Sequence, residues 1–344
     1  MAIMKQLNVR HMLSYLVVTT LLFSAGWLAR GRYEAYNDHS KNRRVALHGF
    51  RFTSPLLDIE LPEGIVIGHE PIPFKYKIKS FVQKKIDSGQ VRNISVYYRD
   101  LHDGPWFGIN LKTVFNPASM MKVPVMIAWL KRAERDPQVM KRIFTYDGKQ
   151  DMSVMQDILP QHTLTPGRRY TVEELLSFMI KYSDNNATAL LYNAMSAEEL
   201  NAVLDGMDIN NQPDGENNSI TVHGYSGFFR ILYNAAFLNR EMSEKALELL
   251  SQQDFPQGMI AGVPKGITVA SKFGEQGQIM KSDDTQLHEF GIVYHPTHPY
   301  ILGIMTQGHD IAGQAEIIRD ISRMVYTEVD AGAYIADDAR IGTP

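Results

Sequence analysis

Cysteine is absent from the 344 residues. Its absence excludes disulfides, thiolate metal ligands, a cysteine nucleophile and a lipid-modified cysteine. The compartment stays open, because an exported protein need not carry disulfides. A basic field is also missing. Lys and Arg total 35 against 38 Asp and Glu, a net charge of -3 that argues against nucleic acid as the main partner. There is no internal repeat and no low-complexity tract. The 11 histidines are scattered; His295 and His298 flank a proline-bounded turn with no further ligand in ordered spacing, so no metal and no other cofactor is expected. What is present, 44% hydrophobic and 21% charged, suits a globular domain with a sizeable core.

The stretch from Met12 to Ala29 carries no charge and is bounded by Arg10 and Arg30. As a helix it spans about 27 Å, close to the roughly 30 Å hydrocarbon core of a bilayer. It reads as an uncleaved anchor or signal occupying residues 1–30. The alternative is a cleaved secretory signal, whose apolar part is usually shorter. Small residues at Ser24-Ala25-Gly26 are followed by Trp27, Leu28 and Ala29, which continue the apolar run. Basic residues lie on both sides of the span, so their distribution does not orient it. Residues 31–73, with Pro55, Pro62, Pro71 and Pro73, read as a linker.

From Phe74 the pattern becomes regular. Lys75 to Ile86 has helical spacing, Ile94, Val96 and Tyr98 alternate as a strand, and Trp106 to Ile109 returns as a hairpin partner. Helices fill the middle: Val123 to Ala133, a Thr171–Glu174 capping box opening residues 172–181, Asn186 to Met195, and a Ser196–Glu199 start closed by Gly206. Further helices are expected near 221–238 and 244–252. Strand patterns return at 267–273, Phe290 to Tyr294 and Tyr300 to Met305, before an amphipathic helix from Ile311 to Val325. Strands at both ends with helices between them describe a sheet built from the two ends of the domain, with a helical part inserted. The expected fold is α/β in the α+β sense, a three-layer α-β-α sandwich on an antiparallel sheet plus an all-helical lobe. The domain spans 74–327, with the lobe at about 123–255 and a loose tail at 328–344.

Ser119-Met120-Met121-Lys122 places a hydroxyl and an amine three residues apart, on one face of a helix start. Serine is a weak nucleophile until a base takes its proton, and a lysine shielded from water has a lowered pKa that fits it for the task. Alone, the tetrad also fits a capping serine beside a solvated lysine. Ser183-Asp184-Asn185 falls in a turn between two helices, where side chains project into a cleft from rigid supports. Ser183 is suited to relay a proton and Asn185 to hold a substrate amide. Lys272-Phe273-Gly274 ends a strand; the lysine offers positive charge, and the glycine allows close approach to the strand edge.

In this order, the three elements resemble the signature of penicillin-recognising serine hydrolases, the class A β-lactamases and D,D-peptidases: S-x-x-K, S-D-N, then K-[ST]-G. The resemblance covers roughly residues 75–327. It implies that Ser119 is acylated by a lactam or D-alanyl-type amide, with Lys122 as base, Ser183 as proton shuttle, Asn185 positioning substrate and Lys272 attracting its carboxylate. It also implies an oxyanion hole from the backbone N–H groups of Ser119 and Glu275, beside Gly274. The implied substrate is a small molecule or a peptidoglycan-derived one, and the domain would face outward from a single-pass anchor in the cytoplasmic membrane.

Two positions depart from that pattern. Phe273 stands where a hydroxyl residue is expected, which removes a hydrogen bond to a carboxylate and is expected to make the pocket more apolar. The segment Asp208 to Ile220 lacks the E-x-x-L-N pattern that supplies a deacylation base in class A enzymes. Glu216 is its only glutamate, a candidate base or a solvated turn residue. Slow hydrolysis of the acyl-enzyme follows if no base is present, since such help is worth about 10²–10⁴-fold. Alternatives are a cell-wall D,D-peptidase, or a catalytically weak peptidoglycan-binding scaffold that keeps the fold.

Overall fold

Apolar residues alternate faces along the long strands, and each face of the sheet acquires its own cover. The computed structural model describes residues 51–53, 72–102, 104–207, 219–277 and 284–332; the span 12–29 and Glu216 lie outside them. The strands are β1 (Val91–Asp100), β2 (Trp106–Ile109), β3 (Val114–Phe115), β4 (Ile143–Thr145), β5 (Arg169–Thr171), β6 (Ile220–Thr221), β7 (Val269–Gln276), β8 (Thr285–Val293) and β9 (Tyr300–Gly308). The helices are α1 (Lys75–Asp87), α2 (Lys122–Arg135), α3 (Val172–Lys181), α4 (Asn185–Asn193), α5 (Ala197–Gly206), α6 (Val222–Tyr233), α7 (Arg240–Ser251) and α8 (Ile311–Asp330). Five strands form one antiparallel sheet in the order β2-β1-β9-β8-β7. The first and last parts of the domain thus share a sheet, and β7 is left with a free edge.

On one face, Ile94, Val96, Tyr98, Leu302 and Ile304 pack with residues of α1 and α8. On the other, Tyr97, Phe290, Ile301 and Met305 meet the helical lobe. Phe290 anchors that second core. Its ring lies 5.1 Å from Tyr225, 5.6 Å from Phe229 and 6.2 Å from Tyr97. Gly303, paired with both Tyr97 and Phe290, makes the stack possible, because a Cβ there would sit 1.9 Å from the Phe290 ring. In the lobe, the capping boxes at Thr171/Glu174 and Ser196/Glu199 form, and each satisfies two otherwise orphaned N–H groups. The structure has the expected fold.

The elements differ from expectation where polar residues are buried. β8 starts at Thr285, five residues before the apolar run, because His288 and Glu289 are fully buried in it with hydrogen-bond partners. β7 likewise continues through Gly274 and Glu275 to Gln276. The last helix runs on to Asp330. The β3–β6 and β4–β5 ladders are too short to show a period in sequence.

Part of the stretch read as linker is bound to the domain. The Glu244 carboxylate accepts the backbone N–H groups of Arg51, Phe52 (2.7 Å) and Thr53 (2.8 Å). Tyr294 donates to the Phe52 carbonyl at 2.9 Å and meets its ring edge-on. Among the described residues, no helix is long and apolar enough to cross a membrane.

Replacing Phe290 with alanine removes the centre of the lobe–sheet core. Phe290→Ala is expected to lower unfolding stability by about 3–5 kcal/mol in urea titrations, as for other buried aromatic truncations. A loss below about 1 kcal/mol, the range of surface changes, would contradict this packing.

Candidate active site

The nucleophile candidate sits on a short 3₁₀ turn, Ala118–Met121, that feeds directly into α2 at Lys122. Ala118 has φ 47°, a left-handed conformation unusual for a residue with a Cβ. Asn116 helps hold the turn, its side-chain oxygen accepting the Ala118 N–H at 2.9 Å. From below, Tyr225 donates to the Met120 carbonyl at 2.8 Å. From β8, His288 braces Asn116. The Thr306 N–H donates to His288 Nδ1 (3.2 Å), which fixes the proton on Nε2, and Nε2 donates to the Asn116 carbonyl at 3.0 Å. Burial lowers the His288 pKa to about 4, so the ring is neutral.

The second turn joins α3 to α4. Ser183 there has φ 58°, another strained position, and is fully buried. Asp184 ties the turn down, accepting from Ala187 N (2.7 Å), Leu164 N (3.1 Å) and Thr163 Oγ1 (2.5 Å). Gln156 clamps its other side, donating to the Ser183 carbonyl (3.1 Å) and accepting from Asn185 N (3.4 Å).

These turns converge on one amine. Lys122 Nζ lies 3.0 Å from Ser119 Oγ, 3.0 Å from Ser183 Oγ, 2.6 Å from the Ser183 carbonyl and 2.7 Å from Asn185 Oδ1. Two of these partners are carbonyl oxygens, which only accept. A neutral amine has two hydrogens and one lone pair. With both hydrogens given to the carbonyls, the lone pair faces the two hydroxyls. Burial lowers the Lys122 pKa to about 7, with Asp184 and then Glu275 opposing the shift. The base required by the sequence reading is therefore present with its acceptor site toward Ser119.

Lys272 approaches from β7. Its Nζ lies 3.0 Å from Ser183 Oγ and donates to the Phe273 carbonyl at 2.9 Å, so Ser183 stands between two amines. Lys272 is fully buried behind Ser183 and does not line the cleft. Burial, and then the charge of Lys122, push its pKa well down. Phe273 is not in the cleft wall either, contrary to the expectation of an apolar pocket. Its ring points beneath the sheet, stacked on Phe255 at 4.5 Å, with Lys272 Nζ 4.1 Å from its centroid.

Gly274 is where the strand meets the nucleophile turn; a Cβ there would lie 2.5 Å from the Pro117 carbonyl and 2.9 Å from Met120 N. The Phe273 N–H bonds Gln253 Oε1 at 2.7 Å, so it points away from the β8 ladder. In an antiparallel ladder, N–H groups two residues apart face the same edge. The Glu275 N–H therefore points to the free edge of β7, the side on which an oxyanion donor is needed. The Glu275 carboxylate accepts from Asp157 N at 3.1 Å through Oε1, and burial raises its pKa.

Ser119, Lys122, Asn185, Gln156 and Glu275 line a cleft of about 530 Å³. Of the residues singled out in sequence, Ser119, Lys122, Ser183, Asn185 and Lys272 come together around two amines, with Gly274 and Glu275 at the adjoining edge; Glu216 falls outside the described residues. Gln156, His288, Tyr225 and Gln253 were not foreseen. Each is an isolated polar residue with no motif around it. Among the described residues, no group of three or more metal-ligating side chains occurs.

An acyl-transfer serine with a neutral lysine base, in the crevice between a helical lobe and an antiparallel sheet, defines the class. The chain belongs to the Beta-lactamase enzyme family, which matches residues 74–329. Its fold is shared with PBP-A in an acyl-enzyme complex with penicillin G, at 22% identity and TM-score 0.61, covering 75% of this chain and 97% of that one. A class A β-lactamase from Mycobacterium abscessus is similar at 21% identity and TM-score 0.62 over 74% and 99% of the two chains. A β-lactamase from Xanthomonas campestris is similar at 17% identity and TM-score 0.63 over 74% and 97%. No match is found among curated proteins. Fold and family together place the chain among β-lactamase-like serine hydrolases.

Because only the neutral amine can take the serine proton, the rate at which a fluorophosphonate modifies Ser119 is expected to rise with pH through a midpoint of about 7. Lys122→Arg, always protonated, is expected to slow it by about 10²–10⁴-fold at all pH values. A midpoint above pH 9, a value typical of solvated lysine, would contradict the assignment.

Proposed function

We propose that the protein is a serine hydrolase of the class A β-lactamase type, acylated at Ser119 by β-lactams or D-alanyl-type amides. The observation that carries the proposal is the arrangement at Lys122 Nζ: two carbonyl acceptors fix its hydrogens and leave its lone pair for the hydroxyl of Ser119. Ser119 Oγ attacks the carbonyl carbon as its proton passes to Lys122. The oxyanion is received by the N–H groups of Ser119 and Glu275. As the C–N bond breaks, Ser183, between the two amines, gives its proton to the leaving nitrogen and regains one from Lys122. Atoms balance: the amine side leaves protonated, and the acyl group stays on Ser119.

Hydrolysis of that ester is the slower half. Among the described residues, no carboxylate is hydrogen-bonded to Ser119 or Lys122, so the attacking water has Lys122 as its proton acceptor. Asn185 can contact the substrate amide, although its Oδ1 is engaged by Lys122 and its Nδ2 donates to the Met152 carbonyl at 3.3 Å. Lys272 acts through Ser183 in this reading, biasing the proton relay from behind. The uncharged stretch at residues 12–29 would hold the domain at a membrane on its outer side, where peptidoglycan-derived substrates are found.

Incubation with benzylpenicillin followed by intact-protein mass spectrometry is expected to show one covalent adduct, absent in Ser119→Ala, that persists for hours. Rapid turnover with no trapped adduct would contradict slow hydrolysis. Absence of any reaction with lactams or acyl-D-Ala-D-Ala esters would overturn the enzymatic reading in favour of a scaffold.

A further inference from the structure

The charge balance of the cleft does not suit an anionic substrate. Among the described residues that line it, Lys122 is the only cation and Glu275 the only carboxylate. The other strand lysine, Lys272, is closed off behind Ser183 with its Nζ spent on Ser183 Oγ and the Phe273 carbonyl. Phe273 offers no hydroxyl, and its ring is turned into the core on Phe255. Much of the remaining wall is apolar, supplied by Met121, Val125, Met155, Tyr192, Leu200 and Leu204.

Glu275 itself is fixed. One carboxylate oxygen is held by the N–H groups of Asp157 (3.1 Å) and Ile158 (3.5 Å). The other is shut off from solvent and has no hydrogen-bond partner. No cation is paired with it among the described salt bridges, so its field reaches the cleft without a neutralising partner. Its residue follows Gly274, the point at which β7 touches the nucleophile turn, so any group continuing from the scissile carbonyl along β7 runs past it. In a half-buried site, a like charge at such range is repelled far more than in water.

Building on the acyl-transfer reading, we infer that the cleft selects acyl donors with an uncharged or cationic group beside the scissile carbonyl, in preference to carboxylates, and that Glu275 sets this selectivity. Burial has already driven Lys272 toward its neutral form and left Lys122 only partly charged near neutrality, so neither lysine offsets the carboxylate. Glu275 acts on specificity through its charge; its backbone N–H serves the oxyanion irrespective of side chain.

The test uses the full chain and a matched pair of thioesters, an N-benzoyl-D-alanyl thioglycolate and the corresponding thioglycolamide. The amide is expected to acylate Ser119 about tenfold faster than the acid, and Glu275→Gln is expected to bring the ratio to near unity. A wild-type preference for the acid, or a ratio unmoved by Glu275→Gln, would overturn the inference. Binding of N-acetyl-D-alanyl-D-alanine and its carboxamide to Ser119→Ala, followed by NMR titration, separates the two readings. Should the thioesters leave Ser119 unmodified while the carboxamide still binds better, and the preference vanish in Ser119→Ala/Glu275→Gln, the acyl-transfer reading fails and the Glu275 assignment stands. Equal binding of acid and carboxamide to Ser119→Ala would overturn the assignment.

Discussion

A primary amine buried among two carbonyl oxygens and two hydroxyls can hold its hydrogens in only one way, and the site is organised around that constraint. Lys122 gives hydrogens to the Ser183 carbonyl and Asn185 Oδ1, and so must offer its lone pair to a hydroxyl. The arrangement requires the Ser183 carbonyl to point inward, which the left-handed backbone of that residue provides at a cost in strain. Asp184 and Gln156 hold the strained turn from either side. His288, Asn116 and Tyr225 hold the nucleophile turn in a matching position. The strain sits at the reacting groups, and the restraint is spread over several elements.

Two lysines sharing one serine hydroxyl would repel each other if both were charged. Desolvation resolves the conflict by favouring the neutral forms, and nearby carboxylates moderate it. Glu289, fully buried, accepts from Ser271 Oγ (2.7 Å) and Met259 N (2.6 Å), and burial raises its pKa to about 7. It sits beneath the sheet and supports Gln253, which in turn fixes the Phe273 N–H and the edge geometry of β7. The same buried network thus sets both the charge state of the amines and the aim of the Glu275 N–H. Cutting either lysine off from water is what makes it useful, and also what leaves it unable to draw an anionic substrate into the cleft.

The architecture and five of the reacting groups could be read from sequence because the motifs occur in order and fall on recognisable supports. Ser119 and Lys122 share a helix start, Ser183 and Asn185 share an interhelical turn, and Lys272 lies on an alternating strand. The supporting residues could not be read in the same way. His288 and Glu289 interrupt the apolar run of β8, so the strand looked shorter than it is. Gln156 and Gln253 lie in loops, and only tertiary structure gives them partners. Phe273 was recognised as a departure, but the face it occupies depends on the strand's placement against Phe255, and sequence alone put it on the wrong side.

The protonation state of Lys122 tests the account most directly. With ¹³Cε-labelled lysine, the Lys122 resonance, identified by its loss in Lys122→Arg, should titrate with a midpoint of about 7. A Lys122 signal that stays protonated up to about pH 10, as for an ordinary lysine, would contradict the account.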